Sequence, residues 1–321
     1  MKTIIYKCAA FALSFLAFIF FISSCVVSSG RSEFQNEEKI SLTDALGRDV
    51  SVKKHPKRVA SLLGSYSDVW LLAGGELCAS AEDAWEDFGL ELNGAKNIGG
   101  AHSPSLELLL SASPEIVIAS SSTASHVELL DTLEAVGITV IYFDVDNFED
   151  YLGMLDVCTD ITGRKDLYEK NGLLLKEEID RIKDNYTRQN LTEKEHTVLL
   201  LRASSTALKA KGSKGTILGE MLADMGCINI ADSDSSLLEN LSIESVIMND
   251  PQHIFVVTMG NDSEAANALL KKTMKENPAW QTLRAIKEER LYVMDKALFN
   301  LKPNARFAEA YQKLYETLVG I

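Results

Sequence analysis

Residues 148–188 are the stretch that most restricts what this chain can become. Phe148, Tyr151, Leu152 and Leu155 recur three and four apart, the spacing of one apolar helix face. Gly163 interrupts, and Leu167, Leu174, Leu175 and Ile182 resume the pattern less cleanly. Residues 165–188 are charged and free of proline, and as helix they would extend roughly 36 Å at about 1.5 Å per residue. On either side, short apolar runs alternate with helix-like segments. A long helix between two such halves predicts a stiff strut joining two α/β lobes. Gly172 inside it costs about 1 kcal/mol relative to Ala and predicts a kink. The competing reading is an ordinary surface helix within one large domain.

With 321 residues there is enough chain for two lobes with their own cores. The formal net charge of −14 argues against a nucleic-acid partner, which requires a basic patch. At the N-terminus, Lys2 and Lys7 precede an apolar run over residues 9–22 of signal-peptide length. Ile22-Ser23-Ser24-Cys25 resembles a lipobox, in which small residues precede a cysteine that becomes lipidated; the consensus prefers Leu where Ile22 stands. The alternative is an uncleaved membrane anchor, but the run is short for a span of roughly 20 residues. Residues 1–24 are thus read as a lipoprotein signal peptide and residues 25–38, polar and aperiodic, as a flexible tether. Cys78, Cys158 and Cys227 remain; they cannot all pair, and none has a Cys-x-x-Cys partner, so they are read as buried apolar residues.

Residues 39–147 form the first half. Residues 40–52 read as a hairpin turning at Gly47-Arg48, and Arg58-Val59-Ala60-Ser61-Leu62-Leu63 as a strand entering the turn Gly64-Ser65-Tyr66-Ser67, with a helix over residues 68–73. A strand running through small residues into a helix lies at the carboxyl edge of a parallel sheet, where open α/β sheets bind ligands. Ser65 is equally an ordinary helix cap; Tyr66 is the more informative residue. Gly99-Gly100-Ala101-His102 leads through Pro104 into Leu106-Glu107, and Ser113-Pro114-Glu115-Ile116-Val117-Ile118 is a short buried strand. Residues 137–142 supply a further strand.

These motifs, with the Gly47-Arg48-Asp49-Val50 hairpin and the Pro56-Lys57-Arg58-Val59 strand entry, resemble the first lobe of ABC-transporter substrate-binding proteins of the iron-siderophore, haem and cobalamin class. The resemblance covers most of the chain after Lys39.

Residues 193–321, beyond the connecting segment of residues 148–192, form the second half. Residues 197–201 make a β-rich run ending in Arg202-Ala203-Ser204-Ser205. Lys209, Lys211 and Lys214 follow, among glycines that lack the spacing of a nucleotide-binding loop. They read either as a solvated hairpin or as cations facing a cleft. Residues 217–225 predict a helix stopped by Gly226. Leu241-Ser242-Ile243-Glu244 followed by Asp250-Pro251 and an apolar strand over residues 253–257 repeats the layout of residues 106–118, supporting two equivalent lobes. Asn277-Pro278-Ala279-Trp280 marks a helix start, residues 290–294 a last strand and residues 303–318 a closing helix.

The residues offer little to an enzyme reading. Gly64-Ser65-Tyr66-Ser67-Asp68 departs from a nucleophile elbow at its fifth place, and no metal-binding cluster of His-Glu-x-x-His type occurs. His55, His102, His126, His196 and His253 are scattered; only His102, in its glycine-flanked loop, is held as a cleft candidate. A lipid-anchored enzyme of unknown reaction is the alternative. An adhesion or structural protein has no need of two α/β lobes with matching edges.

The resemblance implies two α/β lobes, each with a mainly parallel sheet, joined by a long helix and moving little. It implies an extracytoplasmic, lipid-anchored monomer without a cofactor. Such a protein captures a metal chelate (iron-siderophore, haem or cobalamin) and delivers it to an ABC permease dimer with its ATPase subunits. Loop position nominates Tyr66, Trp85, His102, Arg202 and Lys211 as ligand contacts. Glu107 and Glu244 match the acids that dock each lobe of such proteins on the permease. As a bare helix feature, an acid in a first turn only complements the dipole, worth about 0.3–1 kcal/mol.

Overall fold

The computed structural model describes residues 38–260 and 262–320. The signal peptide, Cys25 and all but the last residue of the tether lie outside them. Among the described residues no helix is long and apolar enough to cross a membrane.

A two-stranded antiparallel hairpin, β1 (Lys39–Thr43) and β2 (Asp49–Lys53), comes first. Its turn needs Gly47 at φ 75°, and Asp44 closes it by accepting from the Leu46 and Arg48 amides and pairing with the Arg48 guanidinium. The first lobe is a five-stranded sheet, all parallel, from β3 (Val59–Ser61), β4 (Leu77–Ser80), β5 (Lys96–Asn97), β6 (Ile116–Ser120) and β7 (Thr139–Phe143). Its order is β5-β4-β3-β6-β7, so the chain starts in the middle and reverses its direction of progress between β3 and β6.

The second lobe repeats this plan. β8 (Thr197–Ala203), β10 (Ile228–Asn229), β11 (His253–Thr258) and β12 (Leu291–Val293) run parallel in the order β10-β8-β11-β12. β9 (Leu208–Lys211) pairs antiparallel with β8. Here the switch point lies between β8 and β11. The central strands β6 and β11 are buried at every residue, which is why their stretches Ile116-Val117-Ile118-Ala119 and Ile254-Phe255-Val256-Val257 are apolar throughout instead of alternating.

The connection is helical as expected, but the chain reverses at Gly163 instead of continuing as one rod. The helix Phe148–Thr162 begins in a capping box of Asn147 with Asp150 and ends at Gly163, φ 72°. There the chain turns back: Lys165 pairs with Asp156 and Asp160, Tyr151 Oη–H donates to the Asn171 carbonyl at 2.7 Å, and Lys176 pairs with Glu149. A Cβ on Gly163 would lie 2.6 Å from the His55 ring, so glycine supplies both the left-handed turn and the clearance. The returning rod is helix Lys165–Tyr168, one π turn Glu169–Leu173, and helix Leu174–Thr187. Gly172 lies in the π turn, where a Cβ would meet Leu152 at 3.0 Å; it permits close packing of the two rods.

One apolar core runs through both lobes. It joins Val59, Ile116 and Ile141 to Tyr151 and Leu155 of the first rod and to Ile179 and Ile182 of the second. It then reaches Val198, Leu200 and Phe255, and Phe307, Tyr311 and Leu314 of the closing helix Phe307–Val319. The chain between β12 and that helix ties back to the first lobe. Lys296 pairs with Asp87 at 2.8 Å, Lys302 donates to the Val145 carbonyl, and Asn304 donates to the Ser65 carbonyl and Asp68. A shared core with polar ties on a second side opposes wide lobe opening. Cys158 and Cys227 are buried as anticipated, and Cys78 is half-buried; all are free.

Candidate functional site

At the carboxyl end of β8, strand geometry gathers positive charge. Arg202 stands opposite Lys209 on β9, and Leu200 opposite Lys211. Alternate residues of a strand share a face, so Arg202, Lys209 and Lys211 project on one side of the sheet. Among the described residues none of the three, nor Lys214 in the next turn, has an acidic partner. Like charges so close repel, and the arrangement favours an anion.

Two cavities open there, sharing Arg202 and Lys211. One, of about 820 Å³, is also lined by Ser213, Lys214, Thr216 and Glu220. The other, of about 360 Å³, adds Ser204, Lys209 and Met259. Arg202 Nε is buried without a hydrogen-bond partner. Burial lowers the pKa of the Arg202 guanidinium; burial first, then the charges of Arg202 and Lys209, lowers that of Lys211. A carboxylate or other oxyanion in these cavities would restore the solvation that the cations have lost. Arg202 and Lys211 are thus brought together as the sequence suggested, and Lys209, which the sequence leaves open between a solvated hairpin and a cleft, joins them. Its period-two spacing from Lys211 was the available signal.

On the first lobe, Trp85 sits half-buried in the helix Asp83–Glu86 that follows β4. Asp83 fixes that helix by accepting the Gly64 N–H at 2.8 Å; burial raises its pKa, and its Oδ1 has no partner. A Cβ on Gly64 would lie 2.6 Å from the Ala84 nitrogen, so glycine lets the two segments touch. His102 is exposed in the loop after β5. Buried His126, dismissed from sequence as unremarkable, ties that loop down: its Nδ1 accepts from the Ser120 N–H at 3.2 Å and its Nε2–H donates to the Ala101 carbonyl at 2.7 Å. Both cavities above are lined wholly by second-lobe residues, and the structure does not bring Trp85 or His102 into either.

Tyr66 requires correction as a ligand contact. It lies inside the helix Gly64–Leu72, 1 % exposed, with its hydroxyl donating to the Phe143 carbonyl at 3.2 Å and its ring edge-on to Phe143. The helix starts at Gly64, earlier than anticipated, and this turns the tyrosine inward to join the core.

Glu107 and Glu244 are both exposed and occupy matching places. Each follows a serine cap: Ser105 Oγ accepts from the Leu108 N–H, and Ser242 Oγ from the Ser245 N–H, both at 3.3 Å. Their helices, Leu106–Ser111 and Ile243–Asn249, are each followed by a left-handed residue and a proline: Ser113 and Pro114, Asp250 and Pro251. The repeat seen in sequence is therefore a repeat of backbone conformation.

Comparison with known proteins agrees with this architecture. The sequence profile of the Periplasmic binding protein family matches residues 59–298. YhfQ of Bacillus subtilis, whose name places it among ABC transporter substrate-binding lipoproteins, is 24% identical over 306 residues, 90% of each chain. The Fe(3+)-citrate-binding protein YfmC of the same organism is 25% identical over 295 residues, covering 85% of this chain and 86% of its own. Among solved structures, Staphylococcus aureus SirA complexed with staphyloferrin B superposes with a TM-score of 0.68 at 21% identity, over 87% of this chain and 98% of SirA. With most of its length matched by the profile and both lobes built to one plan, the chain belongs to the periplasmic binding protein family and is the substrate-binding component of an ABC importer.

Proposed function

We propose that the cargo is an anionic iron chelate bearing carboxylates, held chiefly by the second lobe. The observation that carries this reading is the co-facial set Arg202, Lys209 and Lys211, unpaired with any acid among the described residues, with Arg202 Nε buried and unpartnered there. A guanidinium and two ammonium groups suit carboxylate oxygens, which accept charge-assisted hydrogen bonds. Trp85 and His102 are the first-lobe candidates, offering an aromatic face and an imidazole. A relative named for binding Fe(3+)-citrate supports this choice. The mature protein acts outside the cytoplasm, anchored through lipid on Cys25 and working as a monomer, and docks on its permease through Glu107 and Glu244.

Titration of the lipid-free domain with ferric citrate, haem and cobalamin, followed by tryptophan fluorescence, tests the cargo. Saturable binding of ferric citrate alone supports the proposal, whereas binding of only haem or cobalamin sinks it. Mass spectrometry of the mature protein checks the anchor: a first residue other than diacylglyceryl-modified Cys25 removes it.

A further inference from the structure

The end of β9 and the turn after it, residues 211–216, carry two of the cavity's cations and are held by residues outside this segment. Ser213 at its centre is 7 % exposed, and both of its donors end on one carboxylate. Its N–H donates to Asp232 Oδ1 at 2.8 Å and its Oγ–H to Asp232 Oδ2 at 2.6 Å. Asn229 Nδ2–H donates to the Lys211 carbonyl at 2.8 Å. From the other side the turn is pressed against the helix Ile217–Asp224: a Cβ on Gly219 would lie 2.4 Å from the Ser213 carbonyl oxygen and 2.9 Å from that of Gly212.

Asp232 also lines the larger cavity beside Arg202, Lys211 and Lys214. An acid there weakens the local attraction for an anion, since like charges repel across the same space. Its charge therefore opposes the binding that its hydrogen bonds would support. We infer that Asp232 is a positioning residue for cargo binding, fixing the Ser213 turn so that Lys211 and Lys214 present their ammonium groups to the same cavity as Arg202. This inference rests on the anionic-chelate reading.

Two variants separate charge from position. Asp232→Asn removes the charge but keeps the shape: its oxygen can accept from the Ser213 N–H and its amide can donate to Ser213 Oγ. Asp232→Ala removes the charge and both hydrogen bonds, leaving a buried amide and hydroxyl unpartnered, a costly state. With ferric citrate as the probe, Asp232→Asn should bind at least as tightly as wild type, and Asp232→Ala about tenfold more weakly. Without any ligand, hydrogen exchange at the Ser213 amide should stay slow in wild type and Asp232→Asn and become fast in Asp232→Ala. Equal affinity of the two variants, or slow Ser213 exchange in Asp232→Ala, overturns the inference. Should Asp232→Ala not fold, Ser213→Ala replaces it, deleting only the Oγ–H bond; about threefold weaker binding supports the role and unchanged binding overturns it. A wild-type protein indifferent to ferric citrate overturns the chelate reading instead, while the exchange measurement still decides whether Asp232 holds the turn.

Discussion

The two lobes share a sheet plan but finish their carboxyl edges in opposite ways. On the first lobe the polar groups largely satisfy one another: Ser67 and Ser80 lie 2.6 Å apart, Ser120 and Ser122 2.9 Å, and Asp83 caps the Gly64 amide. Its acids Asp144 and Asp146 lie near Lys302, a cation supplied by the far end of the chain. On the second lobe, Arg202, Lys209, Lys211 and Lys214 meet no acidic partner among the described residues. One edge is closed upon itself and the other is left with charge to be answered. The same fold can therefore leave positive charge unanswered on one lobe while the other satisfies its own polar groups.

Docking is where the lobes should behave alike, and where the largest effect is expected. A double Glu107→Ala, Glu244→Ala variant should keep its fold and bind cargo normally yet fail to support uptake or stimulate the transporter's ATPase. Normal uptake would leave both acids as helix-terminal residues worth only about 0.3–1 kcal/mol of stability.

Cargo binding is where the lobes should differ. Loss of a charge-assisted hydrogen bond costs about 1.5–3 kcal/mol, so Arg202→Ala should weaken ferric citrate binding roughly ten- to hundredfold. Trp85→Ala should weaken it less. The reverse order in the same titration would move the anion site to the first lobe.

Acid should reveal a further difference. His253, at the start of β11, is 5 % exposed, and burial, then the charges of Arg290 and Arg284, push its pKa down to about 4. Its unfolded value is near 6.5, so as pH falls the unfolded chain takes up this proton first. The stability present above that value is lost progressively between about pH 6.5 and 4, on the order of 3 kcal/mol at most. Denaturant melts of His253→Gln should show a flatter decline over that window than wild type. Parallel declines would mean that the buried imidazole carries no such linkage.

Much of this architecture was legible because local rules and tertiary demand coincide. Ile116-Val117-Ile118 and Phe255-Val256-Val257 read as buried parallel strands since a sheet covered on both faces asks for apolar residues at every place. The Ser-x-Glu, then Pro, then strand pattern survived as a repeat because caps and left-handed helix ends are short-range devices. Arg202 was found by the same logic, from its place where a strand enters a loop.

Other features depended on where distant segments meet. The pattern over residues 148–188 showed two helical stretches around Gly163, but the reversal rests on His55 crowding that glycine and on Tyr151 reaching Asn171. Tyr66 looked like a cleft residue by its turn; four earlier residues of helix and the Phe143 carbonyl made it core. The sequence by itself determined two α/β lobes, their central strands and the acids that begin matching helices, because periodicity, caps and prolines act within a few residues. Only the tertiary structure decided that Arg202, Lys209 and Lys211 share a face, that Asp232 holds Ser213 from nineteen positions away, and that one core passes through both lobes. Strand register and packing join residues without regard to their separation along the chain, and no local pattern records such a choice.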